Sequence, residues 1–559
     1  MATRSRKERT GMSRGVRPAQ ASSGVVSSRP EVSAPVWRAA STSILLAAAF
    51  LRLYDYALKP LHHDEGVNGF FLARLLREGV YQYDPQNYHG PTLYYFALLT
   101  SKLFGLNTFA VRLVPALFGV GTVWLVLCLR RQLGAIGALS AAALLAVSPG
   151  GVYLSRYFIH ESQFLFFTLG IVVAALRFYE EAEPVYLLLA SASAALLFAT
   201  KETAIISAGV LFIALVMTDV YLSPKGILAW LRRLANVPPT EEEERRPRRA
   251  RKNPARAEAV GEVERRRGLE RFGGASRVAL LSLSAIACFV LINVLFYSSF
   301  FTYSKGITGA IGTFKFWTQT GKSAHVHEWY TYLRWLWQEE GPLLVLGAAG
   351  VMMAALLGRN RFAFFAGLWA VGITAAYSLV PYKTPWLTLN LIVPLAIMSG
   401  YAVSVIYRWD ESIFTALATS VVLGAALTIC GYQMVMLNFY HYDDDTYPYV
   451  YAHTQREVLQ LVDEINRLAA RAGTGQETTI AVVSPDYWPL PWYLRDYKRV
   501  GYHGQLVVSG ETLVIGAASQ EESLQLQTTL GDNYKRIDSY PLRPGVILVL
   551  YARRDALGQ

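Results

Sequence analysis

The chain has 559 residues, of which 53% are hydrophobic and 17% are charged, and its formal net charge is +12. A soluble protein of this length would carry more charge, so the composition predicts a membrane protein. The positive charge does not predict nucleic-acid binding, because the basic residues gather in two segments, 4–17 and 232–271, that flank apolar blocks. Such clusters are typical of the cytoplasmic side of membrane spans.

The N-terminal segment 1–35 is basic and rich in Ser and Pro, which predicts disorder. The apolar block that follows lacks a small-residue cleavage site, so we interpret it as a signal anchor. The segment 91–104 is apolar but short, and we interpret it as interfacial or re-entrant. The eleven predicted membrane helices cover residues 36–57, 108–129, 133–150, 160–178, 184–200, 202–221, 276–298, 341–357, 361–380, 386–407 and 411–436.

The basic residues also orient these helices. With the N-terminus in the cytoplasm, every basic cluster falls on the cytoplasmic side, including Arg130, Arg131 and the charged loop 222–275. The unusual polar motifs fall on the opposite side. We therefore predict a multi-pass protein of the cell membrane, with a cytoplasmic N-terminus and an extracytoplasmic C-terminal domain.

The predicted organisation has two membrane modules and one outer domain. The first module, 36–221, carries an outer loop at 58–107, and the second, 276–439, carries an outer loop at 299–340. The outer domain, 440–559, contains the helical pattern TQREVLQLVDEINRLAA, a second helical pattern EESLQLQTTL, and the β-rich runs TTIAVVS, TLVIGA and VILVLYA. This alternation predicts a small α/β domain.

The motif HHDEG lies just after the first predicted helix, on the outer side. Ionisable groups near lipid are costly and tend to be functional. Asp64 is a candidate general base if it reaches an acceptor hydroxyl. The alternative is a solvated loop in which Asp64 caps the helix EGVNGFFLARLL.

Several motifs together resemble the membrane-embedded glycosyltransferases of the GT-C type. They are HHDEGVNGFFLARLL, the stretch from HGPTLYYFALLTSKLFG to VRLVP, SRYFIHES, TKETA, PYKTPWLTLN and PLPWYLRDY. The most similar groups are the dolichyl-phosphate-mannose protein mannosyltransferases and the aminoarabinose transferases. The chain looks like a branch of flippase-activity-associated membrane proteins, named from association with glycosylation genes.

The resemblance implies transfer of a sugar from a polyprenyl-phosphate donor to an acceptor outside the cytoplasm. By position in the motifs, Asp64 matches the catalytic base and Glu65 its orienting neighbour. The remaining assignments follow the same motifs. The candidate donor-phosphate residues are Arg156, His160, Lys201 and Lys383, and the candidate substrate-binding residues are His63, His89, Tyr95, Glu161, Glu202 and Tyr382.

Two departures from the aminoarabinose transferases affect the donor. Their Lys before a Pro-Pro pair is replaced here by Gly90, and their Arg after the Asp-Glu pair is replaced by Val67 and Asn68. The donor phosphate is therefore held differently, or the donor differs. Snorkelling at a helix end is the alternative role for each cation.

We predict no cofactor and no metal site, although the histidines and acids near Asp64 are of types that bind a divalent cation. The three cysteines lie inside apolar blocks and read as buried apolar side chains. Trp488 and Trp492 either stack on sugar, with Asp486 and Arg495 holding hydroxyls, or pack the outer domain onto the membrane, which we favour.

The expected partners are a polyprenyl-phosphate-linked sugar, membrane lipid and other proteins of a glycosylation pathway. The alternative function is non-catalytic: a flippase-associated protein or transporter that handles lipid-linked glycans. A transport path should continue to the cytoplasmic face. The polar motifs gather on one side, which favours the enzyme.

Overall fold

The computed structural model describes residues 32–87, 89–222, 272–317, 325–358, 360–410 and 412–557. Residues 1–31 of the predicted disordered segment 1–35 and most of the predicted charged loop lie outside these residues. The first helix begins at Ala34, inside the segment predicted to be disordered. The helices are α1 Ala34–Leu53, α2 His63–Glu78, α3 Thr92–Phe104, α4 Thr108–Leu127, α5 Arg130–Ala146, α6 Pro149–Tyr153, α7 Glu161–Glu181, α8 Pro184–Phe198, α9 Ala204–Leu222, α10 Ala275–Tyr297, α11 Lys305–Trp317, α12 Thr331–Glu339, α13 Gly341–Leu357, α14 Arg361–Leu379, α15 Leu389–Tyr407, α16 Ile413–Val435, α17 Glu457–Arg471, α18 Leu490–Tyr493, α19 Ala518–Glu522 and α20 Gln525–Leu530. The strands are β1 Thr479–Val482, β2 Arg499–Tyr502, β3 Leu513–Ala517, β4 Tyr534–Arg543 and β5 Val546–Arg553.

The apolar helices make this a multi-span membrane protein, as predicted. Within the described ranges, eight helices are long and apolar enough to cross a membrane, and ten if each of two bent pairs counts as one span. Each predicted apolar segment coincides with a helix, but α8 has only 15 residues. The predicted total of eleven crossings stays a prediction.

The centre of the membrane region is α15, which is apolar on all sides. All sixteen residues from Leu389 to Ser404 are buried, as expected for a helix with no polar face. Its neighbours approach closely at glycines: a Cβ on Gly350 of α13 would lie 2.0 Å from the Met398 carbonyl oxygen. Small residues at such crossings maximise backbone contact, which stabilises helix association in lipid.

The polar motifs and the exposed basic residues Arg131 and Arg361 lie at opposite ends of the helices. At one end, Arg131 pairs with Glu180 and Glu181, and Arg361 pairs with Asp219. The other end carries the start of α2, the breaks before α7 and α9, and the outer domain. The structure therefore separates the two groups as the topology predicts. Which end is cytoplasmic stays a prediction.

The outer domain is built on a five-stranded sheet in the order β2-β1-β3-β5-β4. Strand β1 is parallel to β2 and β3, whereas β5 is antiparallel to β3 and β4. Helix α17 buries its apolar stripe in the domain core, where Val458, Leu461 and Ile465 are fully enclosed. The predicted α/β domain is confirmed.

Two strands and one helix break differ from the sequence prediction. The strands β2 and β4 are the edges of the sheet, and β4 contains charged residues and Pro541, so neither has the apolar alternation that predicts a strand. The run EESLQLQTTL forms α19 and α20 rather than one helix. The break occurs at Leu524, whose φ of 60° lies in the left-handed region.

Candidate active site

Helix α2 begins with a reciprocal cap. The N–H of Asp64 donates to Nδ1 of His62 over 3.2 Å, and the N–H of His62 donates to Oε2 of Glu65 over 2.8 Å. These bonds satisfy backbone groups that every helix start leaves unpaired. The N-cap is His62, so the interpretation in which Asp64 caps the helix is wrong.

Glu65 is fully buried, and both of its carboxylate oxygens are used. Arg112 donates to them from Nε and Nη2, each over 2.7 Å, and the N–H of Phe158 donates to Oε1 over 2.8 Å. Burial alone would raise the pKa of Glu65, but Arg112 outweighs it and holds that pKa below its ordinary value. Glu65 therefore stays ionised and fixes the position of α2.

The carboxylate of Asp64 has no hydrogen bond to any residue in the described part of the chain. Asp64 is partly exposed in the first turn of α2, where the helix dipole favours negative charge. The negative charge of Asp64 acts electrostatically on His63, Tyr94 and Tyr451. A carboxylate with free lone pairs beside polar partners has what a general base requires.

The outer domain packs directly against this helix. A Cβ on Gly66 would lie 2.5 Å from the Cβ of Pro489, and one on Gly69 would lie 2.5 Å from a ring carbon of Trp492. Trp492 is buried, so it packs the domain onto α2, as the packing interpretation predicts. The two glycines permit a contact that any larger side chain would prevent.

Three residues of the outer domain lie close to the two histidines that precede Asp64. The carbonyl of Tyr451 accepts a hydrogen bond from Nε2 of His62 over 2.8 Å. The ring of Trp488 lies 6.2 Å from that of His63, and Nη1 of Arg543 lies 3.5 Å from Nδ1 of His63. Desolvation lowers the pKa of His63, which favours the neutral imidazole.

A second polar cluster joins the breaks before α7 and α9. Nζ of Lys201 donates to Oε1 of Glu161 over 2.6 Å, and both residues are buried. The His89 ring lies 4.6 Å from that of His160, and its Nδ1 lies 3.8 Å from Oε2 of Glu202. The predicted residues of these motifs are therefore brought together, with the Lys201 charge paired to Glu161.

Tyr94 connects the two clusters. Its ring lies 5.7 Å from His160, and its hydroxyl donates to Oδ1 of Asn68, one turn after Asp64 in α2. Burial lowers the pKa of His160 well below its ordinary value. The neighbouring Tyr95 points its hydroxyl to Oγ of Ser299 over 2.7 Å instead.

Arg156, predicted to hold the donor phosphate, has its guanidinium bound by backbone carbonyls. Its guanidinium donates to the carbonyls of Leu51, Tyr54 and Asp55, at 3.1, 2.5 and 2.9 Å. These are carbonyls at and after the C-terminus of α1, where unpaired acceptors and the helix dipole attract a cation. Arg156 therefore caps the first helix.

Lys383 lies at a cavity of about 550 Å³. Its Nζ donates to the carbonyls of Ser378 and Val380 over 3.0 and 2.6 Å. The cavity is also lined by His327, Glu328, Trp329 and Arg334, among others. His325 connects this cavity to the outer domain. The centre of its ring lies 5.3 Å from that of Tyr382, and its Nδ1 lies 2.9 Å from the hydroxyl of Tyr451.

Sequence reasoning missed Arg112 and Lys59 as parts of this site. Arg112 lies in the VRLVP motif, and this motif is the sequence feature from which a role for Arg112 in the site could have been predicted. Nζ of Lys59 lies 3.8 and 4.2 Å from the ring centres of Tyr153 and Tyr157 and is buried without a hydrogen bond. Burial lowers the pKa of Lys59 well below its ordinary value. No sequence signal distinguishes it from a helix-end lysine.

No group of three or more His, Cys, Asp or Glu side chains able to hold a metal ion occurs within the described ranges. His62 and His63 turn their Nε2 and Nδ1 atoms toward Tyr451 and Arg543, as described above. The divalent cation considered from the sequence stays untested.

Comparison with solved structures gives the fold. ArnT from Cupriavidus metallidurans bound to undecaprenyl phosphate matches with a TM-score of 0.58 and 15% identity, covering 93% of this chain and 98% of that protein. The Archaeoglobus fulgidus oligosaccharyltransferase, tethered with an acceptor peptide containing the NVT sequon, matches with a TM-score of 0.50 and 13% identity, covering 88% and 70%. The chain has the GT-C fold. The resemblance seen in the sequence is confirmed at that level, and the narrower branch stays a prediction.

Sequence comparisons agree with this GT-C assignment over part of the chain. The family model for dolichyl-phosphate-mannose-protein mannosyltransferase matches residues 88–237. The protein named "Putative mannosyltransferase YycA" of Bacillus subtilis is 30% identical over 175 residues, which are 29% of this chain and 25% of that protein. The alignment thus spans about a quarter of the curated relative, so the activity of that protein does not transfer directly.

Proposed function

We propose that this GT-C protein is an integral-membrane glycosyltransferase that takes a sugar from a polyprenyl-phosphate donor, with Asp64 as general base. The observation that carries the proposal is the Asp64 carboxylate at a helix start, to which no described residue donates a hydrogen bond, whereas both oxygens of Glu65 are bound. The solved ArnT structure with undecaprenyl phosphate supports a donor of this class.

The reaction needs a base and a site for the leaving group. The acceptor hydroxyl oxygen forms a bond to C1 of the sugar while the bond from C1 to the phosphate oxygen breaks. The hydroxyl proton passes to Asp64, and the lipid phosphate leaves with the bonding electrons. Preorganised cations stabilise the negative charge that develops on that phosphate.

The cavity at Lys383 supplies cations that suit this phosphate. Arg334 is exposed beside Lys383 in the cavity lining. By contrast, Lys201 is paired with Glu161. Arg156 and Lys383 both donate to backbone carbonyls, but of these two only Lys383 lines the cavity. The proposal therefore assigns the phosphate to Lys383 and Arg334, and gives Lys201, Arg156 and Glu65 positioning roles.

The same proposal places the polar end of the helices outside the cytoplasm. The basic residues at the opposite end follow the positive-inside pattern. The acceptor would then be met outside, between α2 and the outer domain. Labelling of a cysteine introduced at Ser523, which is exposed in the outer domain, by a membrane-impermeant reagent in intact cells tests this orientation.

The decisive experiment compares Asp64→Asn with wild type in nanodiscs. The readout is consumption of radiolabelled polyprenyl-phosphate sugars. The matched control is Asp55→Asn, because Asp55 is exposed nearby and its φ of 47° suits Asn equally well. We expect turnover to fall at least a hundredfold in Asp64→Asn only, which is within the usual contribution of a general base, about 10²–10⁴.

Full turnover in Asp64→Asn would refute the base assignment. Donor binding without turnover in wild type and variant alike would instead support the flippase-associated alternative.

A further inference from the structure

The structure places a group of residues from the outer domain beside Asp64 that the proposed reaction has not used. They are Trp488, Asp486 and Arg543, joined by Phe70 from α2. Trp492 and Arg495 of the same aromatic stretch are already used: Trp492 packs on Gly69, and Arg495 donates to the carbonyls of Trp492 and Leu106. Trp488 also meets α2, where one of its ring carbons would lie 3.4 Å from a Cβ on Gly66, but it stays partly exposed, whereas Trp492 is buried.

Aromatic rings extend outward from the catalytic helix. The Trp488 ring lies 6.1 Å from that of Phe70 and 5.7 Å from that of Tyr487. Phe70 is 44% exposed, and Trp488 and Tyr487 are partly exposed. These rings form a short apolar strip that begins beside His63 and crosses onto the outer domain. An apolar strip of this kind at a polar site suits a ligand with both apolar and hydroxyl-bearing faces.

Charged groups at the inner end of the strip can bind hydroxyls. Arg543 donates to Asp486, whose side chain is still 49% exposed. Nη1 of Arg543 lies 3.5 Å from Nδ1 of His63, and Arg543 also binds Asp486, so both groups lie close to the residue that precedes Asp64. Asp486 accepts hydrogen bonds and Arg543 donates them, and a hydroxyl group can do both.

The charges also disfavour some ligands. Two carboxylates, Asp64 and Asp486, act electrostatically on His63, and among the described residues that do so Arg543 is the one arginine or lysine. This balance of charge disfavours a phosphate here. Cations suited to phosphate lie instead at the Lys383 cavity. A neutral polyhydroxyl compound meets no such penalty.

We infer that the acceptor is a saccharide, whose sugar ring lies on Trp488 and whose hydroxyls bind Asp486 and Arg543, so that one further hydroxyl faces Asp64. That this saccharide is the acceptor of the reaction rests on the proposed function. The aromatic strip by itself indicates only a saccharide-binding site. The apolar C–H face of a pyranose fits an aromatic ring, and its edge carries the hydroxyls. The outer domain then selects the acceptor, while the membrane region binds the donor.

The test measures saccharide binding directly in the full chain. Protein in nanodiscs is titrated with three neutral disaccharides, mannobiose, cellobiose and N,N′-diacetylchitobiose, and with a ten-residue Ser/Thr peptide, using saturation-transfer NMR. The variants are Trp488→Ala and Asp486→Asn, and the control is Trp409→Ala, since Trp409 is exposed at the opposite end of the helices.

We expect at least one disaccharide to bind wild type and Trp409→Ala equally. Trp488→Ala should weaken that binding at least about tenfold, as truncation of an aromatic anchor does. Asp486→Asn should weaken the binding several-fold. Because Asp486 is half-exposed and the substitution preserves its shape, this variant tests the site even if Trp488→Ala fails to fold. The inference would be overturned if the peptide bound and none of the disaccharides did. It would also be overturned if a disaccharide bound with the same affinity to wild type and to both variants.

The donor-consumption assay, run on the same preparations, separates this inference from the proposed function. Turnover that depends on Asp64 without any saccharide binding would sustain the glycosyltransferase and refute the saccharide site. Saccharide binding that depends on Trp488, without turnover of any donor, would sustain the site and refute the transferase.

Discussion

The buried pair of Glu65 and Arg112 gives the sharpest prediction about what holds the site together. We consider Glu65→Gln, which preserves shape but removes the charge. Arg112 would then remain 1% exposed with no carboxylate beside it. Its remaining bonds to the carbonyls of Tyr56, Lys59 and Pro60, at 2.9–3.0 Å, do not neutralise the charge.

Removing one partner of a buried ion pair costs about 3–5 kcal/mol, because the other charge stays desolvated. We expect a loss of that size in the free energy of unfolding, measured by titration with SDS in mixed micelles. The control is Glu78→Gln at the other end of α2, where Glu78 pairs with the exposed Arg74. A surface pair of that kind contributes about 0–1 kcal/mol.

A double variant tests the reasoning further. Replacing the partner as well, in Glu65→Gln with Arg112→Met, should recover part of the loss, since no unpaired charge then remains. The pH dependence has a definite sign. The pKa of Glu65 is depressed in the folded protein, so its contribution is complete above its ordinary pKa and disappears as pH falls through the folded value. Equal costs for Glu65→Gln and Glu78→Gln would refute the argument.

Two further predictions concern helix packing and the donor. Gly350→Ala should destabilise the membrane region by about 1–3 kcal/mol, because the added methyl group overpacks against Met398. The control Gly424→Ala should be neutral, since a Cβ there meets nothing within 4 Å. Equal SDS-unfolding midpoints for the two variants would contradict this prediction. Lys383→Gln should raise the KM for the polyprenyl-phosphate donor at least about tenfold, because it removes a cation from the proposed phosphate cavity. The control Lys498→Gln, on the outer domain, should leave that KM unchanged. A KM unaffected by Lys383→Gln would show that Lys383 does not bind the donor.

The sequence predicts the membrane region well because lipid imposes one simple requirement on every spanning helix. A span needs about 20 apolar residues with internally satisfied backbone groups, and that requirement is local. The edge strands of the outer domain have no comparable local signature. Strand β4 is held by its pairing with β5, and its own residues are half polar.

The site shows the same division. The motif around Asp64 is recognisable because the residues are contiguous, whereas Arg112 lies 47 positions from Glu65, and nothing local announces their pairing. Arg156 has the sequence context expected of a phosphate ligand. Only the fold shows that carbonyls at the end of α1 occupy it. Tyr451 and Arg543 reach the site from nearly 400 and 480 positions away, which only the docking of the outer domain explains.

Hydrogen-bond saturation separates the charged residues of this protein by role. The side chains of Glu65, Arg112 and Arg156 are buried, and their charged ends are bound by neighbouring side chains or backbone, so their substitution should act mainly through structure. Asp64 and Asp486 keep accessible carboxylate oxygens. A free oxygen in a water-accessible position is unremarkable by itself. Asp64, however, follows His63, whose ring centre lies 6.2 Å from that of the partly exposed Trp488, and Asp486 lies two residues before Trp488. This arrangement, at the start of a helix that a buried ion pair fixes in place, suits a hydroxyl-rich ligand. The same criterion directs mutagenesis first to Asp64, Asp486 and Arg334, which is exposed at the Lys383 cavity.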